Sequence, residues 1–236
     1  NINVAQHDLQ DRLAFLARGI SRSRPAVLVE AHADGRVELT ADHGDLFARA
    51  AIEAAVVEPG RCLLPAATAL DIVATFPKDT LALRYTEAKG KIELRCGRIR
   101  STLTPLALAE DFPEIGFATE APSYTVPSEA LQRLIAAAGY ANAPDDKRVE
   151  LTGAQLKLAG NAIGLVTTDG LRLAVAQITC RGLKAARSAS LVPGSFIRDL
   201  ATMLGEDKQV SLWVTANRVI ARCGNLTLVA LPLSGT

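Results

Sequence analysis

Two segments of the chain follow one pattern: Cys62-Leu-Leu-Pro-Ala-Ala-Thr-Ala-Leu-Asp-Ile-Val-Ala-Thr-Phe76 and Leu191-Val-Pro-Gly-Ser-Phe-Ile-Arg-Asp-Leu-Ala-Thr-Met-Leu204. Pro65 matches Pro193 at an offset of 128 residues, and an aspartate six residues further on matches at the same offset. A period of this length is too long for a solenoid repeat, where units run from about 20 to 50 residues. The match therefore indicates a duplicated domain.

The same register continues on both sides of these segments. Cys96-Gly97 corresponds to Cys223-Gly224 at an offset of 127, and Thr40-Ala-Asp42 corresponds to Thr167-Thr-Asp169 at that offset. Between the copies, residues 110–122 show no periodicity and contain two prolines, which is typical of a linker. We therefore predict two domains, covering residues 1–121 and 122–236.

Each copy is predicted to begin with an amphipathic helix, because leucines recur on one helical stripe. The stripes comprise Leu9, Leu13, Leu16 and Ile20 in the first copy, and Leu131, Leu134, Ile135 and Ala138 in the second. Strands and hairpin turns follow, at 33–35 and 160–161, and a second helix is predicted after Pro65 and Pro193. Within each copy, the predicted order is roughly one helix followed by three strands, and this series occurs twice. This order predicts an α+β fold of two tandem domains, each with an antiparallel sheet and two helices on one face.

Composition excludes several classes of protein. Of the 236 residues 49% are hydrophobic but only 4% aromatic, so we expect aliphatic cores rather than an aromatic-lined ligand pocket. The four cysteines stand far apart from one another and from the histidines, which argues against a zinc site or a disulfide framework. No Walker loop or GxGxxG motif follows a strand, and no segment reads as a signal peptide or a membrane span. We expect a cytoplasmic protein without cofactor, metal or membrane association.

Charge is distributed unevenly between the copies. The formal net charge is +1, but residues 1–121 carry −3 and residues 122–236 carry +4. Helical phase places four arginines opposite the apolar stripes of three of the four predicted helices: Arg18, Arg22, Arg133 and Arg198. Such a face could contact DNA phosphates without reading bases, but it could equally be an ordinary solvated helix surface. The helix near Leu70 has no outward arginine.

An enzymatic interpretation would have to use one of three small groups of residues. These are Asp42-His43-Gly-Asp45, His7 with its neighbouring aspartates, and a cysteine nucleophile. The first occupies the corner that corresponds to Asp169-Gly170, so turn chemistry explains it. Cys96 and Cys223 recur at equivalent strand positions, which is typical of buried packing thiols. We therefore expect no catalytic site.

Four segments, which follow one another along the chain in the order of the family pattern, resemble the bacterial DNA polymerase III beta subunit, the sliding-clamp family. Thr167-Thr-Asp-Gly-Leu-Arg-Leu-Ala174 is similar to the ATDGHRLA-type segment of the second domain, and Asp146–Gly153 to a strand of the DVRYYLNG type. Ala109-Glu-Asp-Phe-Pro113 resembles the linker of the family, and Gly19–Pro25 resembles a loop of its inner surface.

The resemblance implies a homo-oligomeric, head-to-tail ring of six similar domains around double-stranded DNA, with helices inside and sheets outside. It implies no catalysis: DNA polymerase, the clamp loader and repair proteins would bind through short peptides in a hydrophobic cleft of the second domain. The cleft would use Arg148, Leu151, Thr168, Gly170, Leu171, Arg172 and Leu173. The DNA-binding residues would be Arg24 together with Arg18, Arg22, Arg133 and Arg198.

The chain departs from the family pattern in several places. Leu171 stands where the family often has histidine, and Val149-Glu150 replaces an aromatic pair, which would alter peptide specificity. The segment from Arg24 to Glu30 is about six residues shorter than the family pattern. Only two of the three domains of a bacterial clamp are represented, so two-domain chains would need three subunits to close a ring. The alternative function is a clamp-derived DNA- or peptide-binding module of a regulatory protein that forms no ring.

Overall fold

The computed structural model describes residues 1–21, 23, 25–117, 124–180, 188–205, 209–215 and 217–233. The chain divides into two compact units, Asn1–Ile115 (unit 1) and Gly116–Thr236 (unit 2). The domain limits predicted at residues 121 and 122 lie outside the described residues and stay a prediction.

Unit 1 contains nine strands and two α-helices among its described residues. In chain order these are β1 (Ile2–Ala5), α1 (Gln6–Ala17), β2 (Ala26–Ala31), β3 (Val37–Asp42), β4 (Leu46–Ile52), β5 (Ala54–Val56), β6 (Gly60–Pro65), α2 (Ala66–Thr75), β7 (Thr80–Thr86), β8 (Lys91–Cys96) and β9 (Ile99–Leu103). They form one sheet in the order β5-β1-β7-β8-β9 and a second containing β6-β2-β3-β4.

Unit 2 contains eight strands and three helices among its described residues. These are β10 (Tyr124–Pro127), α3 (Ser128–Ala138), α4 (Val149–Thr152), β11 (Gly153–Ala159), β12 (Ala162–Thr168), β13 (Leu173–Thr179), β14 (Ser188–Pro193), α5 (Gly194–Met203), β15 (Gln209–Val214), β16 (Val219–Cys223) and β17 (Leu226–Ala230). The strand orders are β10-β15-β16-β17 and β13-β12-β11-β14.

The two units share one topology. The series β1-β7-β8-β9 of unit 1 corresponds to β10-β15-β16-β17 of unit 2, and β6-β2-β3-β4 corresponds to β14-β11-β12-β13. The strand pairings described within each unit are antiparallel. Helix α1 packs against α2, and α3 packs against α5. The predicted duplication and the antiparallel α+β class are confirmed.

Burial follows the predicted helical stripes. Leu9, Leu13 and Leu16 are fully buried in unit 1, and Leu131 and Leu134 are buried in unit 2. The cores are mainly aliphatic, as the composition predicts, although Phe196 is the largest of the fully buried side chains. Packing of aliphatic side chains between helices and sheet therefore stabilises each unit.

Four details of the sequence-based prediction are corrected. Each unit has two sheets rather than one, and β1 and β10 precede the helices with which we expected the copies to begin. Helix α1 ends at Ala17, so Ile20 does not belong to its stripe. The predicted strand at 146–153 is a loop followed by the single turn α4, and strand β11 begins only at Gly153.

The start of the predicted linker is packed onto unit 1. Residues 109–111 form a 3-10 turn, after which Phe112 is buried against Ala26, Leu28 and Leu63. The Glu110 carboxylate accepts a hydrogen bond from the Arg61 guanidinium at 3.0 Å. This part of the segment is a covering layer on the sheet containing β2 and β6.

Candidate functional site

The connection between β12 and β13 in unit 2 is a tight turn stabilised by its own side chains. The Asp169 Oδ1 atom accepts hydrogen bonds from the backbone N–H groups of Leu171 (3.0 Å) and Arg172 (2.9 Å). The Thr168 hydroxyl accepts from the Gly170 N–H at 3.0 Å and donates to the Arg172 carbonyl at 2.7 Å. Gly170 has a φ of 90°, a left-handed conformation that favours glycine. The sequence Thr-Asp-Gly thus fixes the turn locally.

The segment before β11 lies against this turn. A β-carbon on Gly170 would stand 3.4 Å from Nη2 of Arg148 and 3.7 Å from Cδ1 of Leu151. The guanidinium is oriented by Asp146, whose Oδ1 accepts from the Arg148 backbone N–H at 2.8 Å and from Nε at 3.3 Å. Arg148 and Leu151 therefore lie within contact distance of the turn at Gly170, and these three predicted cleft residues are in proximity.

Two polar side chains, Thr167 and Asn142, hold this segment in place. The Thr167 hydroxyl donates to the Ala138 carbonyl at the end of α3 and accepts from the Ala141 N–H. The Asn142 amide donates to the Thr152 carbonyl at 3.0 Å. The connection from α3 to β11 is thereby tied to the strand that carries the turn.

Arg172, the residue before β13, is also held in place. Its Nε donates to Asp169 Oδ2 at 2.8 Å, and its guanidinium lies 6.0 Å from the centroid of the Tyr140 ring. Hydrogen bonds from the backbone N–H groups of Arg172 and Leu171 lower the pKa of Asp169 below its usual value. The pKa of Asp146 is lowered in the same way, first by the backbone N–H of Arg148 and then by its side chain. Both carboxylates are therefore held in their charged form.

Large apolar side chains are exposed around these two arginines. Leu171 is 99% exposed, Leu173 is 67% exposed and Val175 is 65% exposed. Leu173 and Val175 lie on the same face of β13, because alternate residues of a strand share a face. Val149 and Tyr140 are also exposed. This surface, composed of Leu171, Leu173, Val175, Val149, Leu151 and the two arginines, is called the cleft below.

Sequence reasoning missed Val175 in the cleft, and it missed Tyr140 and the two aspartates as contacts of the cleft arginines. The alternation of large and small residues on Leu173-Ala-Val175 could have indicated Val175, and the Asp146-Lys-Arg148 spacing could have indicated a local ion pair. Nothing in the sequence signals the stacking of Arg172 on Tyr140, because the two residues are 32 positions apart and belong to different elements.

Unit 1 has the same turn without the cleft. The closing pair Asp42–Phe47 corresponds to Thr168–Leu173, and Gly44 (φ 89°) corresponds to Gly170. The offset here is 126, so the pairing of Asp42 with Asp169 is wrong by one residue. Asp42 Oδ1 accepts from the Gly44 N–H at 2.8 Å, which is the role of the Thr168 hydroxyl in unit 2.

The connection before the second strand of each unit differs in length between the two units. Eight residues, 18–25, join α1 to β2, whereas fourteen residues, 139–152, join α3 to β11. The longer connection supplies α4, Arg148 and Leu151.

The predicted DNA-facing arginines fall on exposed positions where they are described. Arg18 caps the end of α1, and Arg133 and Arg198 are exposed on α3 and α5. Arg133 forms an exposed ion pair with Glu129 one helical turn away, an interaction that contributes little and exchanges readily. Arg22 and Arg24 lie outside the described residues.

Asp42, His43 and the cysteines, which were considered for catalysis, have structural surroundings. His43 hydrogen-bonds through its ring to the Leu16 carbonyl at 2.8 Å, and Asp42 caps the turn. The four cysteines are buried, and burial raises the pKa of the Cys62 thiol to about 12. Among the described residues there is no group of three or more His, Cys, Asp or Glu side chains that could hold a metal ion. No helix in the described parts of the chain is long and apolar enough to cross a bilayer.

Residues 125–235 match the central domain of the DNA polymerase III beta subunit. The beta sliding clamp of Pseudomonas aeruginosa is 31% identical over 193 residues, covering 81% of this chain and 52% of that protein. The chain belongs to the DNA polymerase III beta subunit, or sliding-clamp, family. The Escherichia coli beta sliding clamp is 29% identical over 86% of this chain and 55% of its own length. This clamp chain thus spans about half the length of these two relatives.

Solved clamp structures agree with the whole described fold. The DNA polymerase III beta subunit of Pseudomonas aeruginosa superposes with a TM-score of 0.90 at 26% identity, covering 99% of this chain and 65% of that one. A sliding clamp of the same organism, solved bound to griselimycin, gives a TM-score of 0.89 at 26% identity and covers 99% of this clamp chain and 64% of its own. Both units of the clamp chain therefore fall within the matched region.

Proposed function

We propose that the chain acts as a non-catalytic DNA sliding clamp that tethers polymerase and repair proteins to duplex DNA for processive replication. The observation that carries the proposal is the cleft in unit 2, which exposes Leu171 and Leu173 beside two fixed arginines. Exposed leucines on a rigid turn are typical of surfaces that bind short peptides. The cytoplasm would be its location, since four free cysteines suit a reducing compartment.

Double-stranded DNA is the proposed ligand of the helices. Arg18, Arg133 and Arg198 are exposed, and long basic side chains of this kind contact phosphates without reading base sequence. Arg22 and Arg24 are proposed to act with them. Binding of this type depends steeply on salt, because each phosphate contact releases a condensed counterion.

Peptides of the polymerase, the clamp loader and repair proteins are the proposed ligands of the cleft. Arg148, Leu151, Thr168, Gly170, Leu171, Arg172 and Leu173 are the residues assigned to it. Support comes from the exposed leucines, which would bury their apolar area against a partner, and from guanidinium donors held in fixed positions.

Assembly into a head-to-tail homo-oligomeric ring is the proposed route to encirclement. Strand β9 ends the first sheet of unit 1 and β13 ends a sheet of unit 2, so both have edges to which a further strand could pair. Ile99 on β9 is exposed. Such edges and apolar side chains support association between domains of this fold.

Topological linkage to DNA is the decisive test. The protein is incubated with linear biotinylated DNA, the ends are then blocked with streptavidin, and the sample is washed at high salt. We expect protein to remain on the blocked DNA and to leave when a restriction enzyme opens one end, because a ring is lost only by sliding off. Protein that washes off blocked and open DNA alike would contradict encirclement.

Two variants separate the contributions to this retention. Replacement of Arg18, Arg133 and Arg198 with alanine should reduce loading in a salt-dependent way, whereas replacement of Arg36, Arg84 and Arg95 changes the net charge equally at other exposed positions and should not. A salt-sensitive affinity for DNA that does not depend on blocked ends would favour the regulatory module over the ring.

A further inference from the structure

Both arginines of the cleft already have a carboxylate partner within the chain. Arg148 donates to Asp146 through Nε at 3.3 Å and through Nη2 at 3.4 Å, and Arg172 donates to Asp169 through Nε at 2.8 Å. These aspartates also cap backbone N–H groups, so they are fixed in place. The guanidinium groups therefore offer hydrogen-bond donors to a ligand but little uncompensated positive charge.

The charge of the cleft is slightly negative. Its two described segments, 145–151 and 168–173, contain four acidic and three basic residues: Asp145, Asp146, Glu150, Asp169, Lys147, Arg148 and Arg172. Glu150 lies in the first turn of α4 next to Val149, and both are exposed. A ligand seated on Leu171 and Leu173 would therefore meet a rim whose net charge is −1.

Electrostatic complementarity at a rim changes selectivity more than total affinity. A carboxylate on a bound peptide would have to compete with Asp146 or Asp169 for its guanidinium and would face Glu150 as a like charge. A lysine or arginine on the peptide would face Glu150 and Asp145 as opposite charges. The apolar anchors would supply most of the binding free energy, since exposed ion pairs contribute little.

We propose that the cleft selects peptides with apolar anchors flanked by neutral or basic side chains and discriminates against peptides with acidic residues beside the anchors. This proposal rests on the proposed function, because it assumes that the cleft is the peptide site. Glu150 is the specificity-determining residue, and Asp146 and Asp169 are positioning residues that hold the two arginines.

Selection from a library of random heptapeptides displayed on phage tests the proposal. The full chain is the bait, and Leu173→Asp is used as a counter-selection, because it puts a charge on the apolar floor. We expect the peptides lost with Leu173→Asp to be rich in leucine and phenylalanine and poor in aspartate and glutamate. Enrichment of acidic residues next to the anchors would overturn the inference while leaving the cleft intact as the peptide site.

A selected peptide and its lysine- and glutamate-flanked versions then give affinities by fluorescence anisotropy. We expect affinity to decrease from the lysine-flanked to the neutral to the glutamate-flanked peptide. The affinity of the neutral peptide should change by less than about threefold when the salt concentration is raised from about 0.05 to 0.5 M. Glu150→Lys should improve binding of the glutamate version about threefold to tenfold, whereas Glu58→Lys, in unit 1, should not. An unchanged preference in Glu150→Lys contradicts the role of Glu150, and peptides insensitive to Leu173→Asp contradict the proposed site itself.

Discussion

Gly170 and Gly44 are residues with the same backbone conformation and different surroundings. Their φ angles are 90° and 89°, but a β-carbon on Gly170 would contact Arg148 and Leu151, whereas no described atom lies within 4 Å of that position on Gly44. A comparison of substitutions at the two glycines therefore separates the effect of backbone strain from the effect of a side chain beside Arg148 and Leu151.

Replacement of each glycine with alanine uses this difference. Both variants should lower the free energy of unfolding by about 1–2 kcal/mol, the cost of left-handed backbone with a side chain. Only Gly170→Ala places a methyl group in contact with Arg148 and Leu151, so a loss of peptide affinity should be confined to that variant. Urea denaturation and peptide titration measure the two effects, and equal losses of affinity in both variants would show that strain alone disturbs the cleft.

Asp169 gives the turn a defined dependence on pH. Its folded-state pKa lies below the unfolded value, so the ionised carboxylate stabilises the turn at neutral pH. This contribution is lost as the pH falls through the folded-state pKa. We expect the amide resonances of Leu171 and Arg172 to stay constant from neutral pH down to the ordinary aspartate range and to shift only below it. In Asp169→Asn this shift of the amide resonances at acid pH should be missing. A shift near neutral pH in the unsubstituted chain would contradict a lowered pKa for Asp169.

At the scale of elements, the segment 109–115 stabilises unit 1 by covering its sheet. Phe112→Ala removes a buried aromatic ring and should cost about 3 kcal/mol, whereas Leu108→Ala removes an exposed side chain and should cost little. The single tryptophan, Trp213, lies in β15 and reports unit 2. In Phe112→Ala, the midpoint of unfolding followed by circular dichroism should therefore decrease, while the midpoint followed by tryptophan fluorescence stays unchanged. A common shift of both midpoints would mean that the units unfold together.

The elements that could be predicted from sequence are those in which one local pattern determines the outcome. The leucine stripes predicted α1 and α3, and the Gly160-Asn161 turn predicted the hairpin of β11 and β12. Strands β1 and β10 were missed because each has only four residues, too few for an alternation to stand out. Helix α4 was taken for a strand because residues 146–153 resemble a strand of the DVRYYLNG type, whereas the hydrogen bond from the Leu151 N–H to the Arg148 carbonyl closes a turn instead.

The cleft residues were named through family resemblance, and the structure adds the contacts between them. Arg148 and Gly170 are 22 positions apart, and their proximity depends on the length of the connection from α3 to β11. This proximity is set by tertiary packing, through the hydrogen bonds of Thr167 and Asn142, and cannot be predicted from a local sequence pattern.

For the whole molecule, the described residues form the proposed cleft in unit 2, and no described atom lies within 4 Å of the β-carbon position of Gly44 in the corresponding turn of unit 1. Isothermal titration with a selected peptide should therefore give one site per chain, although the units share one topology. Removing Leu173 should abolish the single binding event. A stoichiometry of two would mean that the corner around Gly44 also binds peptide, despite its shorter connection.

The fourteen-residue connection therefore bears on how many partner proteins the proposed assembly would hold. In the proposed ring, units 1 and 2 of each copy would supply one described docking place between them. Grafting residues 145–152 between α1 and β2 would double the docking density without changing the circumference. Such a chain would show whether clients on one ring are limited by the number of docking places or by crowding.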